Sequence, residues 1–308
     1  PEPSRPNDPA GIFFTTGSTG PPKGVVYEHG MFDVQVRYLS SHFGYGENDI
    51  DLATFPLFAL FDCVLGITAV IPDMDPTKPA IAAPRKIVDA LVANGCNSLY
   101  GSPALLENLA RYGEEKGVRL TGLRRIITAG APVRPALLDA LHRLLPPEAR
   151  IHTPYGATEA LPVSSIDSRE ILDATRYLSE KGEGICVGKP MAGLQAAIIR
   201  ITEEPIAHWL QAVELSRREI GEIAVKGPMV TKQYFQRPEA DALAKIVDER
   251  DGEVWHRMGD VGYLDEWGRL WYCGRKAHRV ETRGGTLFTI PCEAVSYTHL
   301  RAHETGRN

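Results

Sequence analysis

Phe14-Thr15-Thr16-Gly17-Ser18-Thr19-Gly20-Pro21-Pro22-Lys23-Gly24 gathers three glycines, four hydroxyl side chains and one lysine into a single loop. It follows the apolar run Gly11-Ile12-Phe13-Phe14, which reads as a short buried strand. Glycine lets the backbone approach a ligand closely, Ser and Thr offer hydroxyl donors, and Lys offers a compact positive charge. That chemistry suits a polyphosphate. The spacing is not that of a Gly-x4-Gly-Lys-Ser/Thr loop, because Lys23 stands three places after Gly20 and is followed by Gly24 and the β-branched pair Val25-Val26. By itself the stretch also reads as a polar turn between two strands.

Outward from this loop, strands and helices alternate up to about Pro162. Residues 84–95 carry apolar positions at helical spacing and stop at Gly95, and Asn97 to Tyr100 follows as a short strand. Pro103 opens a helix striped by Leu105, Leu106 and Leu109. Leu123 to Thr128 is β-rich, Ala136 to Leu145 is an amphipathic helix with Leu137, Leu138, Leu141, Leu144 and Leu145 inward, and Arg150 to Tyr155 is a further strand. This alternation predicts a parallel sheet covered by helices. Beyond Gly193 the pattern changes to short strands at Gln195 to Ile201, Glu222 to Lys226, Val261 to Leu264 and Leu270 to Cys273, with a hairpin turn at Asp265 to Arg269. The expected fold is α/β, a helix-covered and mostly parallel sheet with a smaller β-rich subdomain. The expected limits are 1–192 for the α/β part and 193–273 for the β-rich part.

The 308 residues are 43% hydrophobic, enough for a large core or two domains, and the net charge of -5 leaves no basic footprint for nucleic acid. No apolar stretch is long enough to span a bilayer, and no signal-peptide pattern opens the chain. Cys63, Cys96, Cys186, Cys273 and Cys292 are scattered without metal-ligand spacing. Such a set fits small buried side chains and a reducing cytoplasm better than a disulfide scaffold.

Ligands of a parallel α/β sheet collect beyond the C-terminal ends of its strands. Three segments fall there in this reading: the loop after Phe14, Ala129-Gly130-Ala131-Pro132, and Tyr155-Gly156-Ala157-Thr158-Glu159 after a strand ending at Pro154. Tyr155 offers a flat face for a base, Thr158 a hydroxyl for phosphate, and Glu159 a hard oxygen for Mg²⁺. The same five residues also read as a turn with a solvated Glu. Met258 to Tyr263 places Asp260 in a tight apolar turn, where it can accept from both hydroxyls of a ribose or simply cap the turn. Gly274-Arg275-Lys276 opens a basic stretch after a strand, and equally reads as a surface turn.

Phe14 to Gly24, Tyr155 to Glu159, Gly221-Glu222-Ile223, Gly259-Asp260 and Gly274-Arg275 occur in the order found in the adenylate-forming enzymes. The chain resembles that family, the AMP-forming acyl- and aryl-CoA synthetases, luciferases and peptide-synthetase adenylation domains, over about residues 11 to 295. The resemblance implies that Thr15, Thr16, Gly17, Ser18, Thr19, Gly20 and Lys23 handle the β- and γ-phosphates of ATP. It implies that Gly130, Ala131 and Pro132, with Tyr155, Gly156 and Ala157, line an adenine pocket. Thr158 would meet the α-phosphate, Glu159 would help bind Mg²⁺, Asp260 would hold the ribose, and Arg275 would lie near the ribose and the hinge to a mobile C-terminal domain. Lys23, Thr158 and Glu159 are thereby the implied catalytic residues.

Within the family, Phe55 to Asp62, Ile71 to Pro76, Gly101 to Leu106, Ser168 to Leu172, Trp271 to Val280 and Thr289 to Val295 look like the olefin β-lactone synthetases. Ala59 stands where many CoA ligases carry His after a Pro-Leu-Phe triplet, and His278 stands where the hinge usually carries an acidic residue. This branch implies adenylation of a long-chain, optionally 2-alkyl, 3-hydroxy acid followed by ring closure to a β-lactone, with ATP and Mg²⁺ and alongside other enzymes of olefin synthesis. The alternatives are a long-chain fatty acyl-CoA ligase, which would add CoA, and a nucleotide-binding fragment without catalysis. Phe55, Phe58 and Phe61 are candidates for an acyl pocket, though the same apolar segment also reads as plain core. Against the family pattern, the elements that precede the phosphate loop and the C-terminal domain with its adenylation lysine are expected to be missing. Residues 274–295 would be the hinge and the start of that domain, and 296–308 a non-native tail.

Overall fold

The computed structural model describes residues 4–15 and 22–294. These fall into two compact units, one holding the chain up to Gln35, Tyr155–Ser165 and the chain from Thr175, the other Val36–Pro154 and Ile166–Ala174.

The chain enters through an antiparallel hairpin of β1 (Pro9–Phe14) and β2 (Gly24–Glu28). Pairing is close because Gly24 has no Cβ; one added there would stand 2.8 Å from Ile12 Cγ2. The run Gly11 to Phe14 is a strand, as its composition predicts, but it is not buried. Ile12 and Phe14 are 42% and 68% exposed, while Phe13 turns inward onto Tyr27 and Phe32. The hairpin is a separate two-stranded sheet, so one face packs and the other meets solvent.

Helix α1 (His29–Phe43) leads into the parallel part. There β3 (Ile50–Ala53), α2 (Pro56–Leu65), β4 (Thr68–Val70), α3 (Pro84–Ala93), β5 (Ser98–Tyr100), α4 (Pro103–Lys116), β6 (Arg125–Ile127), α5 (Pro135–Leu144) and β7 (Arg150–Ala157) alternate along the chain. The strands lie in the order β4-β3-β5-β6-β7, all parallel. Prolines stand at the first turns of α2, α3, α4 and α5, where a missing N–H removes no helical bond. The Ser102 hydroxyl accepts from Leu105 N at the start of α4, and Gly66, Gly95 and Gly117 take positive φ just past α2, α3 and α4. The leucines read as inward on α4 and α5 are buried.

The chain leaves this unit within β7 and returns to it within β8 (Ala160–Asp167). The remaining strands are β9 (Ile185–Pro190), β10 (Gln195–Ile199), β11 (Gly221–Lys226), β12 (Lys245–Val247), β13 (Val254–Leu264) and β14 (Leu270–Arg275). They pair antiparallel in the order β10-β11-β13-β14-β9-β8, with β12 on β13. Asp265 closes the β13–β14 hairpin by accepting from the backbone of Trp267 and Arg269. The core of this sheet includes Ile199, Ala224, Ile246 and the stacked pair Trp209–Trp255.

Two sequence expectations change here. Asp260 and Gly274-Arg275 do not lie in turns; they face each other inside β13 and β14. Tyr155-Gly156-Ala157 does not follow the end of a strand but forms the last residues of β7. Glycine-rich stretches can stay extended where a neighbouring strand crowds them. A Cβ at Gly156 would stand 2.6 Å from Ala160 O. Cys96, Cys186 and Cys273 are buried, whereas Cys63 and Cys292 are exposed. Among the described residues no helix is long and apolar enough to cross a membrane.

Candidate nucleotide site

The backbone pins both ends of the phosphate-type loop. Thr15 N donates to Lys23 O at 2.9 Å; Thr16, Gly17, Ser18, Thr19 and Gly20 lie outside the described residues. Lys23 itself is exposed. Residues 230–235 run between β2 and the β7–β8 turn. On one side Val26 N donates to Gln233 O at 3.2 Å and Phe235 N to Gly24 O at 2.7 Å. On the other side Thr231 gives both its N–H and its hydroxyl to Glu159 O, at 2.9 and 3.0 Å. Tyr27 adds a bond from its hydroxyl to Thr158 O at 2.7 Å, and Gln35 Nε2 donates to Leu161 O at 2.8 Å. Lys23, Thr158 and Glu159 thus share one fixed piece of backbone.

Tyr234 joins the two charged groups. Its hydroxyl donates to Glu159 Oε1 at 2.7 Å, and Lys23 Nζ lies 5.1 Å from its ring centroid. That separation suits a cation over an aromatic face. Burial pushes the Tyr234 hydroxyl well above the ordinary tyrosine range, and the Glu159 charge adds to the shift, so it stays a donor at neutral pH. Lys245 Nζ lies 5.4 Å from the same ring and donates to Thr231 Oγ1 at 3.1 Å. Burial pulls its amine down to about 7, against the opposing charges of Glu159 and Asp241.

The other end of the site is built on the β13–β14 pair. Tyr155 donates its hydroxyl to Asp260 Oδ2 at 2.6 Å, and Arg275 Nη1 stands 3.0 Å from Asp260 Oδ1. Asp260 is 3% exposed. Burial raises its carboxyl to about 6, with Arg275 and the Tyr155 bond pulling it back and Glu159 pushing it further up. Tyr155 leans against Tyr272 with ring centroids 5.9 Å apart. One carboxylate oxygen pair therefore sits beside an aromatic ring and a guanidinium, an arrangement able to accept from sugar hydroxyls beside a base.

The structure thus gathers Thr15, Lys23, Tyr155, Gly156, Ala157, Thr158, Glu159, Asp260 and Arg275 in one compact unit. Gly130, Ala131 and Pro132 belong to the other unit, in the exposed loop between β6 and α5, where Gly130 takes φ +93°. Phe55, Phe58 and Phe61 also belong to that unit. Phe55 caps the start of α2, Phe58 stacks on Tyr100 at 3.7 Å and 17°, and Phe61 packs against the cluster of Leu39, Phe43, Tyr45, Ile67 and Ile127. Sequence reading missed Tyr27, Gln35, Thr231, Tyr234 and Lys245. They carry no spacing signal, because they lie far along the chain from Thr158 and Glu159, Tyr27 and Gln35 on one side and Thr231, Tyr234 and Lys245 on the other.

Glu159 is half-buried, with one oxygen held by Tyr234. Among the described residues no group of three or more His, Cys, Asp or Glu side chains converges as a metal cage. A single carboxylate beside a phosphate-type loop fits Mg²⁺, which is commonly held by one or two carboxylates together with substrate phosphates.

Residues 1–235 match the AMP-binding enzyme family. The chain is 51% identical over 294 residues to the olefin beta-lactone synthetase of Stenotrophomonas maltophilia (strain K279a), covering 94% of this chain and 52% of that protein. It is 49% identical over 303 residues to the olefin beta-lactone synthetase of Xanthomonas campestris pv. campestris, covering 97% and 54%. The chain therefore spans about half the length of these curated relatives. In fold it resembles the O-succinylbenzoate coenzyme A synthetase of Bacillus subtilis solved in complex with ATP and magnesium ion, with a TM-score of 0.74 and 24% identity over 92% of this chain and 54% of that one. The match over residues 1–235 shows that the chain belongs to the AMP-binding enzyme family.

Proposed function

We propose that the complete protein is an ATP-dependent, AMP-forming synthetase. It activates a long-chain 3-hydroxy carboxylic acid, with or without a 2-alkyl branch, and closes it to a β-lactone. The observation that carries the nucleotide chemistry is the joining of Lys23 and Glu159 through Tyr234, a cation and a carboxylate held at one place. The lactone product is supported by the names of the two relatives at about half identity.

In the first step a substrate carboxylate oxygen attacks the α-phosphorus of ATP. A new P–O bond forms and the bond to pyrophosphate breaks. Lys23, at the mouth of the loop, offsets negative charge on the departing phosphates. Glu159 would hold Mg²⁺, which when bound would add to the neutralisation of the phosphates. Thr158 meets the α-phosphate, Asp260 holds the ribose hydroxyls, and Arg275 keeps that carboxylate ionised. In the second step the substrate's own 3-hydroxyl oxygen attacks the acyl carbon, AMP leaves, and the hydroxyl proton passes to solvent. Holding the chain folded for this attack is the main demand on the acyl site. The roles that the family resemblance gives to the 16–20 loop, to Gly130, Ala131 and Pro132, and to Phe55, Phe58 and Phe61 belong to this proposal. So do the subdomain limits at about 193 and 273, a cytoplasmic setting, and association with other enzymes of olefin synthesis.

The test is product analysis on the complete protein with ATP, Mg²⁺ and a 2-alkyl-3-hydroxy acid. The expected products are AMP, pyrophosphate and the β-lactone, without any need for CoA. A thioester formed only when CoA is added, with no lactone, would point to an acyl-CoA ligase and overturn the proposal.

A further inference from the structure

Glu159 is fixed twice. Its carbonyl accepts two bonds from Thr231, and its carboxylate accepts one from Tyr234. Tyr234 is itself held firmly. It is 5% exposed, its N–H donates to Asp241 Oδ1 at 2.7 Å, its backbone bridges to Val25, and its ring packs with Val25, Tyr27 and Met31. Two ammonium groups face the ring, Lys23 at 5.1 Å and Lys245 at 5.4 Å. Lys245 is anchored on Thr231, the same residue that grips the Glu159 carbonyl. A rigid ring therefore carries a carboxylate on its hydroxyl and the loop lysine near its face.

We propose that Tyr234 is a positioning residue, which holds the Glu159 carboxylate on its hydroxyl and the Lys23 ammonium near its ring in readiness for magnesium ATP. The inference rests on the nucleotide reading above. A free glutamate and a free lysine would each lose rotamer freedom on binding a ligand. With Tyr234 in place that ordering is already present in the folded chain. The hydroxyl and the ring have separable parts. The hydroxyl orients the metal-side carboxylate, and the ring steadies the phosphate-side lysine.

The test uses the 308-residue chain and ATP as the probe, with isothermal titration in Mg²⁺ and again in EDTA. Y234F keeps the ring and loses the hydroxyl. The expected result is an about tenfold weaker uptake of ATP in Mg²⁺, with the affinity in EDTA unchanged. Y234L loses the ring as well, and the affinity in EDTA falls too. A double-mutant cycle separates positioning from packing. In an E159Q background, Y234F is expected to change the Mg²⁺ titration by less than about twofold, because its partner carboxylate is already gone. If Y234F weakens binding equally in both backgrounds, or in neither, the inference fails while the nucleotide reading stands. If the unaltered chain takes up no ATP in Mg²⁺, the nucleotide reading fails and takes the inference with it.

Discussion

Replacing Asp260 by Asn is expected to stabilise the chain at neutral pH while removing its grip on a nucleotide. Burial holds the Asp260 carboxyl up at about 6 against an ordinary 3.8, even after Arg275 and Tyr155 have pulled it back. Between those values the folded chain keeps a proton that the unfolded chain has released. Stability therefore falls as the pH rises from 3.8 through 6 and stays down above it. A gap of about 2 pH units at about 1.4 kcal/mol each amounts to about 3 kcal/mol at pH 7.5. Asparagine has nearly the same shape. Its carbonyl can accept from Arg275 and its amide can donate to the Tyr155 hydroxyl, so both present partners are kept without the buried charge. Linkage then gives D260N a gain of about 3 kcal/mol at pH 7.5, shrinking to about 1 kcal/mol at pH 4.5. If the chain unfolds as a whole, its 308 residues turn the larger figure into a rise in Tm of about 4–5 °C. Thermal and urea unfolding by circular dichroism across that pH range measure it, with ATP titration run in parallel. A D260N chain that is less stable at pH 7.5, or whose gain is the same at pH 4.5, would refute the reasoning.

Three further outcomes are expected. Arg257 and Glu222 form an ion pair at 2.6 Å with side chains 2% and 1% exposed, so R257M strands a buried carboxylate and costs about 3–5 kcal/mol by urea unfolding; a loss below 1 kcal/mol would show that Lys276, 3.2 Å from Glu222, suffices alone. A Cβ at Gly262 would stand 2.1 Å from the Trp271 carbonyl oxygen, so G262A must part β13 from β14 and cost about 3 kcal/mol or more, read as a fall in Tm with faster amide exchange along the pair. His152 packs against Phe43 and His42, and burial, reinforced by His42 and two arginines and opposed by Asp167, pulls its ring down to about 4. The folded value lies below the ordinary 6.5, so this stability is present above pH 6.5 and is lost, by about 3 kcal/mol, as the pH falls through 4; H152L is expected to flatten that limb of the stability curve, and an unchanged limb would count against it.

The candidate site was partly legible. Lys23, Tyr155, Thr158, Glu159, Asp260 and Arg275 stand in ordered short motifs, and the fold brings them into one unit. Their local surroundings were less legible. Asp260 looks like a turn residue because glycines flank it, yet Gly259 and Gly262 serve a bulged strand in which one glycine takes φ +65° and the other lets Trp271 O approach. Ile12 and Phe14 look buried because they are apolar, yet a lone hairpin has only one covered face.

What the sequence alone determined is local. Leucine spacing set the faces of α4 and α5, prolines and glycines set where helices begin and end, and alternation with short β-rich runs set the parallel sheet. Those signals are legible because helix period, capping and backbone φ depend on residues a few places apart. The tertiary structure alone decided who holds the charged groups. Tyr234 reaches Glu159 across 75 positions and Tyr155 reaches Asp260 across 105. Neither pair leaves a trace in spacing, because a hydrogen bond between distant segments is set by how strands stack and not by the order in which they are written.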